Sequence, residues 1–548
     1  MSGLLIVALL APLLLAVVGG WRPAARLAPW APLPALLLAV AAPDDTVLEL
    51  PWLLLGTQLG LDETGRVFLL LTALVWLLAG WFARGYLAGD PRQVRFRGYF
   101  LVTQAGNLAL CLALDAGSFY LGFSLMTFAA YGLVVHSGST EARRAGTIYL
   151  VMAVLGEAAL LAGILLAVQA GGGGDLNFEA LTRLPLGLPA VTLLVLGFGV
   201  KVGLPLLHMW LPLAHPVAPV PASAVLSGVM LKAGVLGWLR FLPLGTQALP
   251  EAGTALMTAG LVGMFFGVVA GLAQRDPKVL LAYSSISQMG FLALAVGAGM
   301  AAPTAWPQLW PAVALYALHH ALAKSALFLG VGVVDRRGAR PLVLVALALP
   351  ALALAGAPLT GGALAKLELK TGLASLSPPW LDVIALLLPL AAVGTALLML
   401  RLLVLVTGRP ASDGERRGLL VPWAALLLAG LILPWWLAGA PGKALGLGAL
   451  VDSSWPLAAA FALWLLARAW RGGWPVIPPG DVVAVPERLL VRLLESWRRW
   501  QPPVIAARWR GVDGQRLRQW ERVLGAWPLA AALWLVLLMG GILAMLRA

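Results

Sequence analysis

Residues 197–241 read GFGVKVGLPLLHMWLPLAHPVAPVPASAVLSGVMLKAGVLGWLRF. Two apolar helices flank a proline-rich connection, and each carries one lysine, Lys201 and Lys232. A lysine near the middle of a membrane helix costs about 2.5–3.5 kcal/mol on insertion scales. Two such costs in one helical hairpin point to a use for the charge.

The rest of the chain has the same character. Of 548 residues, 61% are hydrophobic and 11% charged, and the mean hydropathy is +0.90. Apolar runs recur throughout, many long enough to span a hydrocarbon core of about 30 Å. This is the pattern of an all-α polytopic membrane protein. The first run, 3–19, lacks the basic region of a secretory signal and reads as a true helix. The only cysteine, Cys111, excludes an internal disulfide and a cysteine-ligated cluster. There is no Walker loop and no dinucleotide-binding glycine pattern in a strand–helix context. No cofactor and no metal site are therefore expected in this chain, and redox or ATP chemistry would come from another subunit. The net charge of +14 reads as a positive-inside bias rather than a nucleic-acid surface, because arginines cluster in short inter-helix loops. The lysines are few: Lys201, Lys232, Lys278, Lys324, Lys366, Lys370 and Lys443. They concentrate inside or at the ends of apolar runs. Arginine does not deprotonate in proteins, whereas lysine can. Codon bias explains the scarcity of lysine but not its placement.

Spans are expected near 3–19, 30–42, 67–88, 98–114, 117–136, 146–169, 189–212, 219–242, 252–273, 279–299, 309–333, 341–375, 380–407, 418–437, 454–470 and 527–546. Alternate loops sort by charge. One side carries Arg22, Arg26, Arg84, Arg92, Arg95, Arg97, Arg143, Arg144, Arg275, Lys278, Arg336, Arg337, Arg340, Arg409, Arg416 and Arg417, the other Asp44, Asp45, Glu49, Asp62, Glu63, Asp115, Asp175, Glu179, Glu251 and Asp452. The arginine side is expected to be cytoplasmic, with both termini outside, in a bacterial inner membrane. The organisation read is 1–97 (three helices and an extracytoplasmic hairpin within 43–66), five-helix units at 98–242 and 252–407, and C-terminal helices at 418–470. An amphipathic basic segment at 485–524 and a final span at 527–546 follow. The glycines after Gly171 mark a loop.

Several ionisable residues fall within the spans. Glu157 lies in the sixth. Lys201 precedes Pro205 in the seventh, and proline breaks a helix locally. Broken helices near the bilayer midplane are a recurring way to build ion sites. A carboxylate near an ammonium couples the charge states of both, so Glu157 and Lys201 form a usable proton switch; the bland alternative is a static salt bridge. Lys232 sits mid-span in the eighth, with His208 and His215 in the preceding connection as candidate relays. In the eleventh, LYALHHALAKSALFLG places His320 and Lys324 four apart on one face. His319 falls on another face, and Ser325 and Ser287 are candidate water anchors. The twelfth contains GAPLTGGALAKLELK, where Pro358, Gly361 and Gly362 interrupt the helix before Lys366, Glu368 and Lys370. The series Glu157, Lys201, Lys232, His320, Lys324, Lys366 is what a lateral proton wire needs. Two broken helices five spans apart hint at an internal repeat.

The segment 197–241 resembles the antiporter-like subunits shared by respiratory complex I, membrane-bound hydrogenases and multi-subunit cation/proton antiporters. PLAHPVAPVPASAVLSGVMLKAG looks most like the hydrogenase-4/formate hydrogenlyase type. DPKVLLAYSSISQMG (276–290), HHALAKSALFLGVG, the GAPLTGG break and LPWLLLGTQLGLDETGRVFLLLT also have the family's form. The resemblance implies about fourteen core helices in two inverted five-helix repeats with broken helices seven and twelve, then a lateral amphipathic segment and a last helix. It implies that Lys201, Lys232, His320, Lys324 and Lys366 are the family's proton-pathway residues. Two positions depart from it. Ser124 stands where the fifth helix usually carries a glutamate, for which Glu157 is the expected substitute, and Tyr316 stands where many relatives have histidine.

The function expected is a proton- or sodium/proton-translocating subunit of a larger complex. No catalytic chemistry is expected in this chain alone, and it would serve either a redox-driven oxidoreductase of the NADH/quinone or hydrogenase type or a secondary antiporter. Its partners would be other membrane subunits and the lipid bilayer, with no nucleic acid. A membrane coupling subunit for inorganic-carbon uptake and a non-pumping scaffold are the alternatives.

Overall fold

The computed structural model describes residues 2–43, 46–53, 56–171, 177–409, 418–439, 441–469 and 476–480. The chain divides into two compact units, Met1–Val483 and Ala484–Ala548, and every described residue belongs to the first. The amphipathic segment read at 485–524 and the last span at 527–546 lie outside the described residues.

Helix α1 is Ser2–Val17. Helices α2 (Arg22–Leu27) and α3 (Leu33–Ala41) form one apolar helical stretch from Arg22 to Ala41. The second span thus begins earlier than 30–42. Pro23 sits in the first turn, where a missing N–H is harmless, so Arg22 and Arg26 ride on the helix instead of a loop. Strands β1 (Val47–Leu50) and β2 (Thr57–Gly60) pair antiparallel, Val47 opposite Gly60, forming the hairpin their alternation predicts. Then come α4 (Glu63–Tyr86), α5 (Gln93–Leu112), α6 (Ala116–Val134), α7 (Thr140–Ala170) and the short α8 (Phe178–Leu181). Asp62, Asp115 and Ser139 cap α4, α6 and α7 by accepting from Gly65, Ser118 and Ala142 N–H.

The next helix is broken into α9 (Leu188–Val202) and α10 (Trp210–Val217). Helices α11 (Val220–Val225) and α12 (Leu231–Phe241) are joined through a π turn at Leu226–Met230. Helices α13 (Pro250–Leu272), α14 (Pro277–Ala301) and α15 (Trp306–Arg337) are continuous. A second break separates α16 (Pro341–Ala355) from α17 (Gly361–Leu373). Helices α18 (Pro378–Thr407), α19 (Leu420–Leu437) and α20 (Leu447–Ala469) follow.

Eleven helical stretches among the described residues are long and apolar enough to cross a membrane. Two of the three shorter apolar helices, α9 and α16, are the first halves of the broken ones. The protein is a multi-pass membrane protein. The apolar windows of α14 and α15 are wholly buried and that of Val220–Phe241 is 94% buried, whereas α20 is 11% buried. The charge-bearing α11–α12 and α15 are therefore central, and α20 is peripheral.

Close approach of α13 and α14 depends on glycine. A Cβ on Gly260 would lie 2.6 Å from the Gly290 carbonyl, and one on Gly253 2.5 Å from the Gly297 carbonyl. Small residues at such crossings let backbones touch, which is how membrane helices associate when apolar burial gives no driving force.

The two ends of the bundle differ as the loop charges predict. At one end His136 Nε2 meets Asp90 at 3.2 Å, Arg95 donates to the His136 carbonyl at 2.8 Å, and Arg409 donates to both Asp276 and Asp335. At the other, Arg240 pairs with Asp62, Asp115 accepts from Gln58 N–H at 2.8 Å, and Trp310 Nε1 donates to Glu63 at 3.2 Å.

Gly260→Ala is expected to destabilise the protein by about 1–3 kcal/mol, since the contacted atom is backbone and cannot swing away. Gly3→Ala, where nothing lies within 4 Å, is expected to be silent. Thermal unfolding of the two variants in detergent checks this.

Candidate functional site: two broken helices and an interior row of amines

The two breaks share one wording and one backbone. GLPL ends α9 and GAPL ends α16. Gly203 and Gly356 have φ of 83° and 87°, and Leu206 and Leu359 have φ of 69° and 63°. Glycine enters the left-handed region freely. Proline supplies no N–H and cannot continue the helix. A leucine held there costs on the order of 1–3 kcal/mol and persists only when its surroundings impose it. Pro205 and Pro358 lie inside these breaks. Gly361 and Gly362 do not; they open α17. Their role is space. A Cβ on Gly362 would sit 1.7 Å from the Ala353 carbonyl and 2.9 Å from His319 Nε2.

A helix that stops inside the protein leaves carbonyls without partners and a negative dipole end. At the first break, Trp210 Nε1 donates to the Val200 carbonyl at 2.8 Å. At the second, the Lys366 ammonium donates to the Ala355 carbonyl at 2.7 Å and that of Leu354 at 3.3 Å. Lys366 also lines a cavity of about 150 Å³ between α17, α18 and α20, whose wall includes the Lys370–Asp452 ion pair at 2.8 Å. Lys370 is thus a surface partner of α20, and Glu368 is half-buried on α17.

Around the first break, Glu157 and Lys201 are both buried and line one small cavity of about 20 Å³ with Thr127, Tyr149 and Trp210. That is room for about one water molecule. They do not form a direct ion pair within 4 Å. Instead Ser124 Oγ donates to Glu157 Oε2 at 2.7 Å. The residue that departs from the family wording is therefore the hydrogen-bond partner of the acid expected to substitute for it. Glu157 Oε1 and Thr127 Oγ1 are buried with no hydrogen-bond partner. The Lys201 ammonium is enclosed by the rings of Phe123, Tyr149 and Trp210 at 5.5, 5.6 and 5.8 Å. It donates weakly to Tyr149 OH at 3.4 Å. Ring faces stabilise a cation without supplying a base.

At the centre, Lys232 is fully buried and donates to the Ser227 carbonyl, at 2.7 Å, within the π turn. π turns leave the regular ladder and often mark functional sites. Gly228 makes the turn fit against α15; a Cβ there would strike Ser325 Oγ at 2.0 Å. Lys324, also fully buried, donates to the Leu281 carbonyl at 2.8 Å and to Ser284 Oγ. His320 lies in the field of both Lys232 and Lys324, and His319 in that of Lys366 and Lys232. The face read as separate from the His320–Lys324 pair thus looks towards the second break. Neither ring nitrogen of His320 has a hydrogen-bond partner, nor does Ser287 Oγ. Ser325 donates to the Ala224 carbonyl at 3.1 Å. His208 lies buried in the first break against Phe266, at 4.8 Å between ring centres, and His215 stacks on Phe328 at 4.6 Å.

Sequence reading passed over a neutral chain beside this row. Tyr316 OH donates to Gln288 Oε1 at 2.8 Å, and Gln288 Nε2 donates to Thr395 Oγ1 at 3.0 Å. It ties α15, α14 and α18 together. The signal was present: Gln288 lies in the YSSISQMG wording, and Tyr316 was a noted departure.

A helical membrane bundle with two interrupted helices and a buried row of amines and imidazoles has the form of a charge-handling membrane domain. Residues 113–390 match the family described as NADH:quinone oxidoreductase/Mrp antiporter, TM, and the chain belongs to that family. It is 32% identical over 291 residues to hydrogenase-4 component B of Escherichia coli (strain K12), covering 51% of this chain and 43% of that one. It is 32% identical over 352 residues to NADH-quinone oxidoreductase subunit N of Desulforudis audaxviator, covering 59% and 67%. The chain thus spans about half the length of several curated relatives that it matches. Its fold resembles a chain of the Mrp complex from Dietzia sp. DQ12-45-1b, with a TM-score of 0.66 and 24% identity over 99% of this chain and 61% of that one.

Ser124→Ala removes the donor to Glu157 Oε2. A loss of about 1–3 kcal/mol is expected, read as a lower detergent unfolding midpoint, with Ser124→Thr retaining most of the stability.

Proposed function

We propose that this chain is an ion-translocating subunit of a larger membrane complex. In this reading protons, or protons against sodium, move along Glu157, Lys201, Lys232, His320, Lys324 and Lys366. The observation that carries it is the state of the amines. Lys232 and Lys324 are fully buried, and with Lys366 they have no carboxylate within 4 Å among the described residues; backbone carbonyls hold them instead. A structural ion pair would have its acid. An amine held by a neutral acceptor can lose and regain a proton without leaving an opposite charge stranded, which a relay requires. Arginine would hold the same carbonyls but not release a proton.

Each broken helix supports the same reading. Lys201 lies one turn before the first break and Lys366 reaches back to the second, so small backbone changes at the G-x-P-L hinges would alter which acceptor each amine meets. The matching breaks favour two repeats of inverted topology at 98–242 and 252–407. The arginine-rich end faces the cytoplasm of a bacterial cell, with the acid-rich end outside. Partners are other membrane subunits, as the names hydrogenase-4 component B and NADH-quinone oxidoreductase subunit N describe for those relatives, and His208, His215, His319, Ser287 and Glu368 are secondary relay positions.

Native purification with this chain as bait, followed by reconstitution of the assembly into vesicles with an imposed ion gradient, tests the reading. Lys201→Ala and Lys232→Ala are expected to assemble normally and to lose proton flux by a factor of about 100 or more. Full flux in both variants would refute it.

A further inference from the structure

The sequence places Lys278 on the arginine side at the end of an apolar run, and in the structure its ammonium points inward. It donates to the Ala218 carbonyl at 2.6 Å, the residue that closes α10. Behind it, at the end of the bundle, two carboxylates are held together. Arg409 donates to Asp276 Oδ2 and to Asp335 Oδ1, each at 2.9 Å, and these side chains are 37% and 28% exposed. Lys278 lies in the field of both carboxylates and of Arg409. In front of it, three residues before Ala218, stands His215. That imidazole is completely buried against Phe328, neither ring nitrogen has a hydrogen-bond partner, and it lies in the field of both Lys278 and Lys324. Such an unsatisfied group in a packed interior is costly to keep. Four elements, α10, α14, α15 and the end of α18, therefore bring water-facing acids, an amine and an imidazole into the neighbourhood of the central lysine.

We infer that Asp276 and Asp335 form the mouth, and Lys278 and His215 the interior steps, of a route that loads protons from the arginine-rich end onto Lys324. The carboxylates gather protons from water. Arg409 fixes their positions without taking part, since its guanidinium keeps its protons. The Lys278 ammonium leaves the Ala218 carbonyl and gives a proton to His215; His215 passes it to Lys324, and Lys278 is recharged from the acids. Each transfer moves one proton between two named groups, and no other reactant is needed. The inference rests on the ion-translocation reading above.

The competing role for Lys278 is purely structural, pinning the end of α10. Lys278→Arg separates the two, because arginine can still donate to Ala218 but cannot pass a proton. In vesicles containing the reconstituted assembly, Lys278→Arg and His215→Gln are expected to lower proton flux at least about tenfold. Imidazole buffer added at the arginine-rich side should restore much of it by delivering protons beyond the missing step. Wild-type flux in Lys278→Arg overturns the route, and so does a loss that imidazole leaves unchanged. His215→Gln provides the same reading should Lys278→Arg fail to assemble. Lys232→Ala is measured in parallel. If it abolishes flux while Lys278→Arg does not, the loading route alone fails; if it retains full flux, the translocation reading itself falls.

Discussion

The interior of this protein is governed by one constraint: an amine taken out of water must find acceptors, and here those acceptors are backbone carbonyls. A continuous α-helix has none to spare. The fold provides them by interrupting its helices. The break after α16 frees the carbonyls of Leu354 and Ala355 for Lys366. The π turn between α11 and α12 exposes that of Ser227 to Lys232. Lys278 uses the end of α10 in the same way. Lys324 is the variation, reaching across to the Leu281 carbonyl and Ser284 on α14. Irregular backbone at membrane depth is tolerated only where protein surrounds it, and the π turn lies within one of the most enclosed stretches, Val220–Phe241.

Glycine makes that enclosure possible. Gly228 and Gly362 stand where another residue's polar atom or a neighbouring carbonyl comes too close for a Cβ, and Gly361 where the Pro434 ring does. The same logic joins α13 to α14. Packing and chemistry are thus not separate layers, since the approach that binds the helices together also brings His319 to α17 and Ser325 to the π turn.

The first break is arranged differently. Lys201 sits among aromatic rings, with its acid across a small cavity and not in contact. Ser124 holds that acid on the far side. The carboxylate beside Lys201 is carried by α7 and oriented by Ser124 of α6.

The sequence by itself determined that this is a polytopic helical membrane protein and where most of the described spans fall, although the second begins at Arg22 instead of residue 30 and the helix read at 454–470 begins at Leu447. Hydropathy decides these because the bilayer rewards apolar length and penalises charge locally, residue by residue. The hairpin at 47–60 and both proline breaks were legible for the same reason: alternation and proline act on their immediate neighbours. Only the tertiary structure decided which groups meet. It placed Ser124 on Glu157, turned His319 towards the second break, moved Gly361 and Gly362 out of that break and into a contact, and aimed Lys278 inward at α10. Those outcomes depend on helix rotation and on clearances of a few tenths of an ångström between segments distant in the chain, and such distances leave no mark in local composition.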